Sequence, residues 1–207
     1  MKKIFAILLA LTMALSVFAL AGCGDNGGGD VDTTDHNLEA IKAALSATTP
    51  ASTDIEINAV TPLGVTLNGE YNVTYNSDGT ATVEYSYDKL NTFEGGPVGE
   101  LVSRVSGTAT IAQDGTVSGD VSATVAGAAT KSFNLDAAKF KSYSAGEGSL
   151  VATIAAENVE AVLGIAISRL ASDVTISVFA NDGEVTAVSI AYTDSVAGAV
   201  TVECVYN

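Results

Sequence analysis

After residue 52, apolar and polar residues alternate with period two through most of the chain, which predicts strands rather than helices. From Val65 onward, Leu67, Gly69, Tyr71, Val73 and Tyr75 fall on one face, and Thr66, Asn68, Glu70, Asn72 and Thr74 on the other. Past Asn76-Ser-Asp-Gly79 the alternation resumes, with Ala81, Val83, Tyr85 and Tyr87 set against Thr80, Thr82, Glu84 and Ser86. One apolar and one polar face describe half-solvated antiparallel strands, and the turn between them makes 71–87 a β-hairpin. Gly79 takes a left-handed backbone without a Cβ clash, and Asn76 or Asp78 supplies side-chain bonds to nearby amides. Four of the seven tyrosines share one face of this hairpin, where they either form a core cluster or line a groove.

Asp-Gly turns recur at Asp114-Gly115 and Asp182-Gly183. The first predicts a hairpin of 102–112 with 116–126, and the second a hairpin of 173–180 with 184–193. In the former the inward set, including Ala109, Ile111, Val117, Gly119, Val121, Ala123 and Val125, is small. Small residues either let backbones pack closely or leave space for an apolar ligand, and size alone does not separate the two. Further strands are expected at 53–60, 130–135 and 200–206, the last tying the C-terminus into the sheet and placing Val202, Cys204 and Tyr206 together. Residues 149–154 are ambiguous in pattern. Residues 88–100, with Gly95-Gly-Pro-Val-Gly, read as a loop.

Helical spacing appears twice. Leu38, Ile41, Ala44 and Leu45 predict a helix over 37–48, with Asp35 or Asn37 as N-cap and Pro50 beyond its end. Val159, Val162, Leu163, Ala166 and Leu170 predict a second over 157–170, which Gly164 weakens by up to about 1 kcal/mol relative to Ala. Residues 136–141 suggest a single helical turn. Helices this short are marginal alone, so they must pack on the sheet. The fold class that follows is mainly β (α+β), a curved antiparallel sheet or half-barrel with two packed helices.

The first 22 residues stand outside that pattern. Lys2 and Lys3 precede an apolar run over 4–21 broken only by Thr12 and Ser16. It closes on Leu20-Ala-Gly-Cys23, which resembles the lipobox of bacterial lipoproteins. That resemblance implies a signal peptide over 1–22, cleavage before Cys23 and a lipid on the Cys23 thiol. The short run and its end at the lipobox argue against a transmembrane anchor or an ordinary secreted precursor. Residues 23–36, rich in Gly and Asp, form a lipid anchor and flexible spacer, and 37–207 a single antiparallel-sheet domain. The signal peptide and lipobox also resemble those of Gram-positive Firmicutes, which implies the outer face of the cytoplasmic membrane.

Charge narrows the partners. Losing Lys2 and Lys3 leaves seven basic residues against 24 acidic ones, a net charge of about −17. Nucleic-acid binding and polybasic attachment to anionic lipid are thereby disfavoured, so membrane association rests on the Cys23 lipid. With Cys23 consumed, Cys204 has no disulfide partner and is expected as a small buried strand residue.

No catalytic constellation is legible in the sequence. His36 is the only histidine and sits at a helix start, so neither a metal centre nor a Ser/His/Asp triad can be assembled around it. Asp30, Asp32 and Asp35 lack the spacing of a calcium loop, and no Gly-rich segment has the Lys of a phosphate loop. Glu70 and Glu84 are expected to face each other across the first hairpin, on its solvated face. No catalytic residue, metal ligand or cofactor is assigned.

The order of lipobox, spacer, short helix, long meander, later helix and three terminal strands resembles the LolA/LolB-like and LppX/LprG-like lipoproteins over about residues 37–207. Those families hold lipid or acyl chains in a half-barrel covered by helices. The resemblance implies a non-enzymatic, membrane-tethered protein that binds a hydrophobic ligand such as a lipid, with Tyr71, Val73, Tyr75, Val83, Tyr85 and Tyr87 as its lining. The alternative is a cell-surface structural or protein-interaction module with a fully packed core.

Overall fold

The computed structural model describes residues 31–90, 102–131, 133–167 and 169–207. Ten strands alternate with short helices: α1 (Val31–Ala47), β1 (Ser52–Val60), β2 (Thr66–Tyr75), β3 (Ala81–Leu90), β4 (Val102–Ile111), β5 (Val117–Ser118) and α2 (Ala123–Thr130) come first. Then follow β6 (Phe140–Gly146), β7 (Ser149–Ile154), α3 (Val159–Leu163), β8 (Val174–Asn181), β9 (Glu184–Asp194) and β10 (Gly198–Tyr206). All neighbours are antiparallel, in the order β5-β4-β3-β2-β1-β10-β9-β8-β7-β6. β5 and β6 lie at opposite edges, so the sheet is open and not closed into a barrel. Thr33–Asn207 make one compact unit.

The three Asp-Gly turns form as expected. Gly79, Gly115 and Gly183 all have φ near +80°, and Asp78 accepts hydrogen bonds from the Thr80 amide at 3.0 Å and hydroxyl at 2.7 Å. At the third turn Asp182 also has a positive φ of 53°, giving the two-residue mirror-image turn that matches strand twist.

Cross-strand register carries one apolar row through nine strands: Gly107, Tyr85, Tyr71, Ile55, Cys204, Val188, Val178, Leu150 and Ala145 lie opposite one another in turn. A parallel row two residues nearer the β1–β2 turn runs through Val105, Tyr87, Gly69, Ile57, Val202, Ile190, Ile176, Ala152 and Tyr143. The helices cover this face. α1 buries Leu38, Ile41, Ala44 and Leu45 toward the β6–β9 half, where Asn37 donates to the Ala145 carbonyl and the Val185 amide donates to Thr48.

Four local readings are corrected. α1 begins at Val31 rather than near 37. The strand expected through 116–126 stops at Ser118, because Gly119 turns at φ 120° and Ser122 caps α2 by accepting from the Val125 amide. α2 also replaces the start of the strand expected at 130–135. Its Ala-rich run is buried on nearly every side, so no polar face marks its period, and helix propensity decides. The helix expected over 157–170 ends at Leu163, where Gly164 with φ 70° is a left-handed cap rather than a weak interior point. Residues 149–154 are a strand, and β6 was not anticipated.

Candidate functional site

The six residues expected to line a ligand site share one face of β2 and β3, with Tyr71 opposite Tyr85, Val73 opposite Val83 and Gly69 opposite Tyr87. Burial divides them. Val73 and Val83 have no exposed surface and Tyr71 is buried, so these three are packed in the core. Tyr75 is half-buried and pinned: its hydroxyl donates to the Ala129 carbonyl at 2.6 Å and lies 2.9 Å from the Thr53 hydroxyl. Tyr206 likewise donates to the Ala128 carbonyl at 3.1 Å. These phenols hydrogen-bond carbonyls in the last turn of α2, that of Ala128 shared with the Lys131 amide, and so fix the C-terminal end of α2 against the strands. The cover over this hairpin is therefore α2, while α1 lies toward the other half of the sheet.

Tyr85 and Tyr87 are half-exposed. Their ring centroids are 6.0 Å apart, and Tyr85 is 6.4 Å from Tyr71, with the planes tilted by about 30°. The rings lie over glycines: a Cβ on Gly107 would meet the Tyr85 hydroxyl at 2.5 Å, and one on Gly69 would meet the Tyr71 ring at 2.9 Å. Next to them Ile57, Leu67 and Val105 are also only half-buried. The apolar face is thus sealed over its middle strands and opens at the β1–β4 half, toward the β1–β2 turn. Across this opening Tyr87 donates to the Asp120 carboxylate at 2.5 Å, in the segment that leads into α2. That bond pushes the Tyr87 pKa up to about 12, and burial, then the Asp120 charge, push that of Tyr71 to about 12, so both phenols are neutral donors at physiological pH.

Depressions lie elsewhere. One of about 420 Å³ is on the polar face, lined by Glu70, Asn72, Glu84, Ser86, Ser106 and Thr108 with Tyr85 beneath. Another of about 480 Å³ runs between α2 and the β4–β5 turn, and one of about 550 Å³ between α1 and the β6–β7 and β8–β9 turns. Residues 91–101, which hold most of the loop expected over 88–100, lie outside the described residues, as does Cys23.

The polar face corrects one expectation. Glu70 stands opposite Ser86 and Glu84 opposite Asn72, so the two carboxylates are offset rather than facing. Instead Glu70, Glu56 and Glu203 stand opposite one another on three successive strands. Burial raises the Glu203 pKa, against a hydrogen bond from Ser189 at 2.8 Å that lowers it, and the Glu56 charge raises it further. Arg104 faces the other end of this row, 3.7 Å from Glu70 and 3.1 Å from Asp88. Among the described residues no three His, Cys, Asp or Glu side chains are gathered as metal ligands. His36 is exposed on α1. Cys204 is fully buried, and burial together with the Glu203 charge pushes its thiol well above the ordinary range, which leaves it unreactive.

No family model matches the chain, and no curated protein matches it. Among solved structures it is similar to LprF from Mycobacterium bovis, at 15% identity over 84% of this chain and 92% of that one, with a TM-score of 0.39. It is similar at 11% identity to a LolA superfamily protein from Nitrosomonas europaea, over 84% and 91% of the two chains, with a TM-score of 0.27. A DUF1329 family protein from Desulfovibrio piger gives 10% identity over 86% and 94%, with a TM-score of 0.27. These are weak likenesses.

Proposed function

We propose that this chain is an extracytoplasmic, non-catalytic protein, lipid-anchored through Cys23 on the outer face of the cytoplasmic membrane, that holds a hydrophobic ligand of lipid class. The ligand lies on the open end of the apolar face, against the rings of Tyr85 and Tyr87, with Tyr71, Val73, Tyr75 and Val83 as the rigid floor behind them. One observation carries this reading: Tyr85, Tyr87, Val105, Ile57 and Leu67 are half-exposed together, whereas Cys204, Val202, Val188 and Ile190 on the central strands of the same face have no exposed surface. The polar handles there are the phenols and the Asp120 carboxylate, a set suited to orienting an amphiphile rather than to bond cleavage.

Native mass spectrometry of the purified protein, followed by organic extraction, tests the proposal. Retained mass that extraction removes, and that a Tyr85→Ser/Tyr87→Ser variant fails to retain while still folded by circular dichroism, is the expected result. Absence of any retained or exchangeable lipid would sink it. A second reading, a surface interaction module, is favoured by the filled core over β1, β10 and β9, where Ile55, Cys204 and Val188 are closed off from solvent.

A further inference from the structure

Only three large hydrophobic side chains are strongly exposed among the described residues: Val60 at 47%, Leu63 at 66% and Val196 at 57%. All three lie at the same end of the sheet. Val60 ends β1, Leu63 belongs to the β1–β2 turn and Val196 to the β9–β10 turn, and the pairing of Val60 with Ala199 makes the two turns neighbours. The backbones touch closely enough that a Cβ on Gly198 would fall 2.1 Å from the Val60 carbonyl oxygen.

The two turns are themselves uncharged, with Asp88 and Lys89 on β3 and Asp173 just before β8 at the same end of the sheet. In a chain with 24 acidic residues, none occurs from Asn58 to Gly69 or from Ser195 to Val202, and no basic residue does either. Asp194, at the margin, is occupied: it accepts from the Val196 and Ala197 amides at 2.7 and 2.8 Å and lies 3.6 Å from Arg169. The turns at the opposite end are acidic, carrying Asp78, Asp114, Glu147 and Asp182.

We propose that the paired β1–β2 and β9–β10 turns form a membrane-docking tip that seats Val60, Leu63 and Val196 in the interface of a lipid bilayer. An uncharged apolar tip enters that interface without desolvating charge, while the acidic end is directed away from the negative surface of anionic lipids. Three side chains are far short of the roughly 1,200–2,000 Å² that a stable protein interface buries, so a free partner or a second copy fits poorly. A chain already held at the membrane needs only a weak contact, and here the inference rests on the tethered reading above. The tip adjoins Leu67 and Ile57 of the open apolar face, so docking brings the mouth of the ligand site to the bilayer, where a lipid can pass without crossing water.

The chain contains no tryptophan, so Leu63→Trp and Asp182→Trp each place a single reporter at opposite ends. Each full-length variant is reconstituted with phosphatidylcholine vesicles, with and without brominated acyl chains. The indole of Leu63→Trp should shift to the blue and lose on the order of half its emission to bromine, that of Asp182→Trp should do neither, and adding Val60→Ser/Val196→Ser should restore the first. No quenching at the tip, or equal quenching at both ends, overturns the proposal. So does a concentration-dependent blue shift without vesicles, which would assign the tip to a second copy. Organic extraction of the purified protein before vesicles are added reports the ligand separately: retained lipid without tip quenching defeats only the docking tip, and tip quenching without extractable lipid defeats only the ligand reading.

Discussion

At the scale of single residues, the two faces of the sheet were legible and the state of individual side chains was not. Period two placed Val202, Cys204 and Tyr206 together, and all three are buried. It placed Tyr71, Tyr75, Tyr85 and Tyr87 on one face, yet their differing exposure depends on where α2 lies. Glu203 was invisible in the pattern because its position opposite Glu56, with Ser189 as donor, depends on two strand pairings distant in sequence. Its raised pKa has a defined sign. The folded state binds this proton more tightly than the unfolded chain, so the charged carboxylate opposes folding at neutral pH, and the opposition fades as pH falls through the raised value. Glu203→Gln keeps an acceptor for Ser189 and removes the charge. It should stabilise the protein by about 0.2–1 kcal/mol at pH 7–8, the scale of a cross-strand pair, with the gain vanishing near pH 4. Urea melts of both proteins across this range check it; a gain independent of pH would refute the electrostatic account. Asp78 has the opposite sign, since the Thr80 hydroxyl and amide lower its pKa and favour folding until acid protonates it.

At the scale of elements, turns and strands were readable wherever local chemistry decides. Asp-Gly supplies the positive φ that a tight hairpin requires, and all three such turns formed. Helices were less readable. The Ala-rich α2 is buried almost all round, so neither period stands out, and Gly164 served as a cap rather than an interior residue. Two glycines of similar backbone separate local conformation from close packing. Gly183 has φ 82° with open space where a Cβ would project, so Gly183→Ala should cost about 1 kcal/mol from conformation alone. Gly198 has φ 79°, but its Cβ would collide with the Val60 backbone. Gly198→Ala should therefore destabilise by distinctly more, about 3 kcal/mol or above, as overpacking adds to strain. Paired denaturation curves decide, and equal losses would contradict the close approach of the β1–β2 and β9–β10 turns.

At the scale of the whole molecule, the decisive feature is the pairing of β1 with β10, the first and last strands of the sheet. The chain builds one half outward from β1 to β5, returns to the far edge at β6, and comes back to the centre at β10. The C-terminal residue closes the seam: the Asn207 amide donates to the Ser52 carbonyl at 2.9 Å, and the Ala51 amide donates to the Asn207 carbonyl at 2.8 Å. Removal of residues 200–207 takes away a central strand, exposes Ile55 and Val188, and parts the two halves. Loss of the cooperative thermal transition is expected, and calorimetry of the truncated chain checks it. Survival of a single transition would mean that the halves fold without their seam.

By itself the sequence determined the antiparallel strands, the apolar and polar faces, the three Asp-Gly turns and the absence of a readable catalytic motif, because each depends on neighbours within a few residues. Only the tertiary structure decided the strand order, the burial that separates Tyr71 from Tyr85 and Tyr87, the glutamate row and the convergence of Val60, Leu63 and Val196. Those depend on which distant strands meet. Alternation records that a strand has two faces, but not which strand lies beside it or what covers it.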